Sequence, residues 1–169
     1  MKAVVVYESL WGNTASVAHA IAGGIGEPAR ALSTAEATPD AIADADLIVC
    51  GAPLLGFNLP TDEIRETIDN APGNAPEPPN LSHPSMRSWL AKLPAGYRKG
   101  AAFETRIWWS PGSAAKAIER ELQEAGYRVA APAEKFIVKG KYGPLKPGEL
   151  DRAREWGQRL ANGSARPTA

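Results

Sequence analysis

Hydroxyl and amide side chains are concentrated in the segment Ser9-Leu10-Trp11-Gly12-Asn13-Thr14, which follows a short apolar run and leads into a predicted helix. Gly12 permits the backbone to curl, so that successive N–H groups can point to one anion at the positive end of the helix. No Gly-Lys-Ser/Thr follows and no G-x-G-x-x-G opens the helix, which excludes a nucleotide P-loop and a dinucleotide fingerprint. The segment therefore predicts a phosphate site, with an ordinary turn and an Asn-Thr helix cap as the alternative.

Two later segments combine Gly and Pro with apolar or aromatic side chains. Residues 51–60 are expected to expose their apolar side chains, unless this loop folds onto the core. In residues 105–113 the adjacent Trp108 and Trp109 cannot both point inward from a short loop, so at least one is expected on the surface, where it can stack on a planar heterocycle. The candidate binding residues are Pro53, Leu54, Leu55, Gly56 and Phe57 in the first segment, and Thr105, Arg106, Trp108, Trp109 and Gly112 in the second.

Apolar runs alternate with helical periodicity along the chain, which is typical of a parallel sheet with helices on both sides. The runs predict five strands, at 3–7, 28–33, 46–50, 101–105 and 127–138, the last interrupted around Pro132. Helices are predicted along Val17, Ile21 and Ile25, over 39–45 and 60–69, after a Ser85 cap, over 113–125, and along Leu150, Ala153, Gly157 and Leu160. Ligands of such doubly wound α/β sheets bind outside the carboxyl ends of the strands, so we expect the chemistry in the loops after the first, third and fourth strands.

A phosphate loop followed by two aromatic loops is typical of a flavin mononucleotide (FMN) site, and these segments resemble those of the flavodoxin family. Residues 9–14 are similar to the family's Thr/Ser-x-Thr-Gly-x-Thr phosphate loop, with Trp11 in place of the middle hydroxyl residue. Residues 51–60 resemble the second flavin loop, and 105–113 occupy the position of the third. The stretch Phe136-Ile137-Val138-Lys139-Gly140…Gly143-Pro144-Leu145…Gly148-Glu149 resembles a flavodoxin-like subgroup of actinobacterial type.

The resemblance covers residues 2 to about 160 and implies a flavodoxin-like, doubly wound sheet of five parallel strands in the order 2-1-3-4-5. It implies that residues 9–14 hold the phosphate of FMN, and that Phe57 and Trp108 flank the ring, with Trp109 as the alternative to Trp108. It also implies electron transfer or other redox chemistry, with a redox partner protein or a small-molecule substrate.

Two features depart from the family pattern. Flavodoxins that shuttle electrons are typically strongly acidic, whereas this chain has a formal net charge of +0. Arg106 also brings a cation to the third loop, where it either faces the ring or forms a surface ion pair with Glu104. Three hypotheses follow: an FMN-binding electron-transfer or redox protein, an FMN-dependent quinone or small-molecule reductase, and a flavodoxin-like binding module without flavin. In the reductase hypothesis, the proline-rich loop 70–84 helps to form a substrate wall.

Composition limits the remaining possibilities. With 169 residues, one cysteine and two histidines, the chain is predicted to be a single domain over 1–161, with a frayed tail over 162–169, no internal disulfide and no metal site. No apolar run approaches the ~20 residues of a membrane span, and no signal peptide is recognised, so we expect a cytoplasmic protein. Cys50 is predicted to be a buried strand residue, His19 to face solvent, and His83 to have no partner.

The zero net charge conceals two halves of opposite sign. Residues 1–83 carry 11 Asp and Glu against 3 Lys and Arg, and residues 84–169 carry 16 Lys and Arg against 8 Asp and Glu. In the basic half the charges alternate along helices without interleaved aromatic residues, which indicates solvated faces and no nucleic-acid site. The two halves, net −8 and +8, predict a large dipole and partner docking or self-association that weakens with salt.

Overall fold

The computed structural model describes residues 1–70 and 75–163. It contains the strands β1 (Ala3–Tyr7), β2 (Arg30–Ser33), β3 (Leu47–Pro53), β4 (Lys99–Ile107), β5 (Arg128–Val129) and β6 (Glu134–Val138). Its helices are α1 (Asn13–Ile25), α2 (Pro39–Ile42), α3 (Asp62–Asn70), α4 (Met86–Ala91), α5 (Ala114–Glu124) and α6 (Glu149–Ala161). Residues 75–85 contain no helix or strand. Four residues of the predicted proline-rich loop, 71–74, and the predicted tail from 164 onward lie outside the described residues.

All strand pairs are parallel, and the sheet has the order β2-β1-β3-β4-β5, with β6 also pairing with β4. The predicted doubly wound fold and its strand order are confirmed. The predicted fifth strand consists of β5 and β6, which pair with residues 99–100 and 103–107 of β4, respectively. Its interruption has a local cause, because Pro132 lacks the N–H that a continuous ladder requires.

Two apolar layers cover the faces of the sheet. Side chains of β1 and β3 alternate between them, because successive residues of a strand point to opposite faces. On one face Ile48 packs with Met86, Ile118 and Leu122 of α4 and α5. On the other face Val49 packs with the α1 and α6 side chains Val17, Ile21, Trp156 and Leu160. Both central strands are therefore buried on each side, as their uninterrupted apolar runs predict.

Two strands extend further toward the carboxyl edge than the sequence predicts. β3 continues through Gly51 and Ala52 to Pro53, and β4 continues to Ile107. Gly and Pro disfavour strands, but here the parallel register with β4 joins Gly51 to Phe103 and Pro53 to Thr105. Tertiary pairing overrides the local preference, so Thr105 and Arg106 are strand residues and the third loop begins at Trp108.

Among the described residues, no helix is long and apolar enough to cross a membrane.

Candidate functional site

A cleft of about 180 Å³ opens at the carboxyl edge of the sheet, beside the start of α1. Ten of the predicted site residues line it: Ser9, Leu10, Trp11, Asn13, Thr14, Pro53, Leu54, Leu55, Gly56 and Thr105. Four lining residues were not predicted: Ile107, Ser110, Val138 and Lys141. The other predicted residues do not line the cleft: Gly12, Phe57, Arg106, Trp108, Trp109 and Gly112. The structure thus brings together the loops after β1, β3 and β4, with a contribution from β6 and the turn after it.

The backbone of residues 9–14 turns around the side chain of Ser9. Ser9 Oγ accepts hydrogen bonds from Gly12 N and Ala15 N, both at 3.1 Å. The N-cap residue of α1 is Gly12, which has no side chain, and the Ala15 N–H in the first turn bonds to Ser9 Oγ, so the alternative of an Asn-Thr cap is wrong. The N–H groups of Asn13 and Thr14 have no acceptor among the described residues, as expected for the first turn of a helix. These donors, with the positive end of the α1 dipole, are suited to an anion.

Thr14 also links α1 to the sheet. Its hydroxyl lies 2.8 Å from that of Thr105 at the end of β4, and both side chains are buried. The contact explains why a residue in the first loop and one in the predicted third loop line the same cleft. The contact between the two hydroxyl groups holds residues 9–14, the phosphate-type loop, against the end of β4.

The turn after β6 packs directly on the phosphate-type loop. Asn13 Nδ2 donates to the carbonyl oxygen of Tyr142 at 3.2 Å, and the Trp11 and Tyr142 rings meet edge to face at 4.7 Å. Gly143 has a φ of 95°, which favours glycine, and a Cβ there would lie 2.5 Å from Asn13 Oδ1, so the Asn13 side chain would have to move. Lys141, exposed in the same turn, is the one Lys or Arg among the described residues lining the cleft. Lys141 was not predicted; a lysine between Gly140 and Gly143 is the feature of the sequence that could have indicated this part of the site.

The second and third loops meet beyond the cleft. Gly112 has a φ of 91°, and a Cβ there would lie 1.9 Å from the carbonyl oxygen of Phe57, so the loops touch through backbone. Leu54 is buried, against the expectation for 51–60, while Phe57 is 66% exposed with a φ of 68°. Trp108 and Trp109 are both on the surface, 67% and 65% exposed. Three large aromatic side chains near one edge of the sheet are therefore solvent-exposed.

Arg106 and Glu104 form an ion pair, but the pair is buried and not on the surface as the sequence suggested. Arg106 Nη1 lies 3.2 Å from Glu104 Oε2 and donates to the carbonyl oxygen of Gly112 at 2.9 Å. Glu104 Oε1 accepts from Ser113 Oγ at 2.8 Å and from Ala115 N at 3.1 Å. Arg106 does not line the cleft, and its charge is matched by the Glu104 carboxylate, which also accepts hydrogen bonds from the start of α5. The pair thus holds the third loop between β4 and α5.

A second buried polar group lies behind the first loop. Glu8 Oε1 accepts from Met86 N at 2.9 Å, and Oε2 lies 3.6 Å from Arg65 Nε. His83 Nε2 accepts from Ser9 N at 3.1 Å, so the expectation that His83 has no partner is wrong. No local sequence pattern indicates this contact, because the partners are 74 positions apart. Burial raises the pKa of Glu8 to about 7, and burial, together with Arg65, lowers that of His83.

Other predictions about single residues can be compared with the structure. Cys50 is fully buried in β3, as predicted, and burial raises the pKa of its thiol. His19 is exposed on α1, also as predicted. No group of three or more His, Cys, Asp and Glu within residues 1–70 and 75–163 could hold a metal ion.

No protein-family model and no curated protein matches the chain. Solved structures do match it. An archaeal flavodoxin is 24% identical, covers 98% of this chain and 100% of its own, and has a TM-score of 0.67. Flavodoxin 1 from Bacillus cereus, in its oxidised form, is 20% identical over 96% of this chain and 98% of its own, with a TM-score of 0.66. The Flv1 flavodiiron core from Synechocystis is 21% identical over 97% of this chain, with a TM-score of 0.63, but the match spans 36% of that longer chain.

The chain therefore has the flavodoxin-like fold, and the family resemblance is confirmed at the level of the fold. The placement in an actinobacterial-type subgroup stays a prediction.

Proposed function

We propose that the protein binds FMN and serves in electron transfer or related redox chemistry. The observation that carries the proposal is the start of α1. There, the N–H groups of Asn13 and Thr14, which have no acceptor within the described part of the chain, adjoin one cleft with the exposed Lys141, on a fold shared with flavodoxins. Two helix N–H donors and a cation are the groups expected around a phosphate dianion.

In this proposal residues 9–14 and Lys141 hold the phosphate, and the ring lies toward the second and third loops. Leu55, Ile107 and Ser110 line that end of the cleft. Phe57 and Trp108 are proposed to flank the ring, with Trp109 as the alternative to Trp108. FMN supplies one- and two-electron redox chemistry, while the chain contributes stacking, hydrogen bonds and electrostatics. The partner is a redox protein or a small-molecule substrate.

Two alternatives remain as hypotheses. A flavin-free binding module is favoured by Trp11 and by the cleft of about 180 Å³, below the ~300–1,000 Å³ of typical small-molecule sites. A ring stacked on exposed aromatic side chains extends beyond the cleft, which reconciles the small volume with FMN. In the reductase alternative the proline-rich loop forms a substrate wall. None of its described residues, 75–84, lines the cleft.

Titration of the purified protein with FMN and with riboflavin, followed by flavin absorbance and fluorescence, tests the proposal. The wild type should bind FMN more tightly than riboflavin, because only FMN carries the phosphate. If neither flavin binds, the module without flavin replaces the proposal. If flavin binds, oxidation of NAD(P)H with a quinone distinguishes a reductase from an electron carrier.

Lys141→Gln should weaken FMN binding about fivefold to tenfold and leave riboflavin binding within a factor of two. The variant removes a charged hydrogen-bond donor, and such a bond contributes about 1.5–3 kcal/mol at most and less at an exposed site. Lys146→Gln, at an exposed lysine that does not line the cleft, is the matched control. Equal affinities of Lys141→Gln and the wild type for FMN would remove Lys141 from the proposed phosphate site.

A further inference from the structure

The proline-rich segment crosses directly behind the phosphate-type loop. Three successive loop residues bond to it. Ser9 N donates to His83 Nε2 at 3.1 Å, Asn80 N donates to the carbonyl oxygen of Leu10 at 2.8 Å, and Trp11 Nε1 donates to the carbonyl oxygen of Glu77 at 3.2 Å. The segment therefore supports one side of the loop, while the cleft lies on the other.

His83 makes the most buried of these contacts. Its side chain is 6% exposed, and Arg65 Nη2 donates to its carbonyl oxygen at 2.6 Å. An imidazole nitrogen accepts a hydrogen bond only when it carries no proton, so His83 must be neutral with its proton on Nδ1. Burial, together with the Arg65 guanidinium, lowers the pKa of His83, which keeps this form at neutral pH.

Ser9 forms hydrogen bonds through both its backbone N–H and its side-chain hydroxyl. The Ser9–His83 bond therefore affects the conformation of the whole phosphate-type loop. The N–H of Ser9 is held by His83, while its Oγ accepts from Gly12 N and Ala15 N at the start of α1. Without an acceptor, the Ser9 N–H would be buried and unpaired, which is an unfavourable state for a backbone donor. The backbone would relieve this by rotating, and Ser9 Oγ would leave the position that orders the helix start.

We propose that His83 is a positioning residue of the phosphate site, holding residues 9–14 in the conformation that binds the phosphate of FMN. The inference rests on the proposed function. His83 lies behind the loop and does not line the cleft, so it acts through Ser9. A protonated His83 would present an N–H to the N–H of Ser9, so acid releases the loop.

Several charged groups surround His83. Arg65 of α3 and Glu8 at the end of β1 lie in the same buried group, and Glu36 and Glu77 line a cavity that His83 shares. Burial and the Arg65 guanidinium both oppose protonation of His83 and lower its pKa. Because the folded-state pKa of His83 is lowered, the acid effect develops as the pH falls below the ordinary value of 6.5.

The test compares three variants for FMN and riboflavin binding between pH 5.5 and 8, within roughly the range where histidine titrates. His83→Phe keeps a ring but has no acceptor, and it should weaken FMN binding at least tenfold with riboflavin within a factor of two or three. His83→Gln restores an acceptor and should recover most of the FMN affinity. Ser82→Ala, at an exposed neighbour bonded to Asn80, is the control and should match the wild type.

The pH profile separates positioning from simple structural support. FMN phosphate itself takes up a proton near pH ~6, and this effect is common to all the proteins compared. The wild type should lose additional FMN affinity below pH 6.5, and His83→Gln should lack that additional loss. If His83→Phe does not fold, the comparison of the wild-type and His83→Gln pH profiles still tests the inference. Superimposable profiles of wild type and His83→Gln, or equal losses of FMN and riboflavin in His83→Phe, would overturn the inference.

Nitrogen-15 NMR of the flavin-free protein keeps this inference distinct from the proposed function. The His83 Nε2 signal should be that of an unprotonated acceptor, and the Ser9 amide should shift and lose exchange protection in His83→Phe. If the wild type binds no FMN, the proposed function fails, and inorganic phosphate becomes the probe, followed through the amide shifts of residues 9–14. Phosphate shifts that are absent, or unchanged by His83→Phe, would then overturn the positioning role as well.

Discussion

Glu8 is a carboxylate in an environment that disfavours its charge. Its side chain is fully buried, and within the described residues Oε2 has no hydrogen-bond partner. The guanidinium of Arg65, 3.6 Å away, offsets the burial only in part, so the pKa of Glu8 is raised to about 7. A carboxyl group that changes charge near neutral pH therefore lies directly before Ser9 in the chain.

Glu8→Gln should remove a pH dependence of stability. The folded-state pKa of about 7 lies above the ordinary 4.5, so the folded protein binds the extra proton between these values. The stabilisation is complete below pH 4.5 and is lost as the pH rises through 7. Relative to the variant, the wild type should lose on the order of 3 kcal/mol of unfolding free energy across this window. Denaturant unfolding at several pH values measures this, and parallel curves for the two proteins would contradict it.

At the scale of elements, the site depends on loops held together through backbone. The end of β4 supplies Glu104 and Arg106, which bind the start of α5 and the carbonyl oxygen of Gly112. Gly112 in turn lies against the backbone of Phe57, so the second and third loops form one unit. The exposed aromatic side chains are thus held by two loops that contact each other through their backbones, and not by two independent loops.

Gly112→Ala should separate these loops. The new Cβ would lie 1.9 Å from a backbone oxygen, which cannot move as a side chain could, and FMN and riboflavin should be weakened alike because the ring end is disturbed. Gly148→Ala is the matched control, since Gly148 also has a positive φ, 86°, but open space around its Cβ position. The control should lose only about 1–2 kcal/mol of unfolding free energy, with flavin affinity unchanged. Flavin titration and denaturant unfolding measure both effects, and tight riboflavin binding by Gly112→Ala would show that the loop contact is dispensable.

At the scale of the whole molecule, the charge division follows the sheet. The acidic half of the chain, 1–83, contains β1, β2 and β3, and the basic half contains β4, β5 and β6, so the two edges of the sheet belong to halves of opposite charge. Helix α6 of the basic half packs back on α1, but it carries three acidic and three basic residues and does not cancel the division.

Docking of the proposed redox partner should therefore weaken with salt, because the Debye length falls to ~3 Å at 1 M ionic strength. Salt-sensitive self-association stays a prediction of the same charge pattern. Sedimentation of the protein alone and with a candidate partner measures self-association and partner docking. The measurement is made at 0.05 M and at 1 M salt, where the Debye length is roughly 14 Å and 3 Å. Association that is the same at both salt concentrations would contradict an electrostatic origin.

The sequence by itself determined the elements and the edge of the sheet where the loops meet. Burial of one strand or one helix leaves a pattern within that element, such as the apolar run 3–7 or the spacing of Val17, Ile21 and Ile25. A local pattern is therefore enough to predict these elements. The strand order followed from the family resemblance. The resemblance also pointed to residues 9–14 as the phosphate loop, and the structure places most of them around the cleft.

Only the tertiary structure decided which distant residues meet there. Asn13 and Tyr142 are 129 positions apart, and Ser9 and His83 are 74 apart. Such contacts depend on the paths of irregular loops, which carry no periodicity to read. The burial of Arg106 has a related origin. Glu104 lies two positions away on the same face of β4, but both side chains become buried, and the Gly112 carbonyl oxygen reaches Arg106, only when α5 and the loop before it pack against β4. A charge that looks exposed in the sequence is buried once packing supplies a counter-charge and hydrogen-bond acceptors.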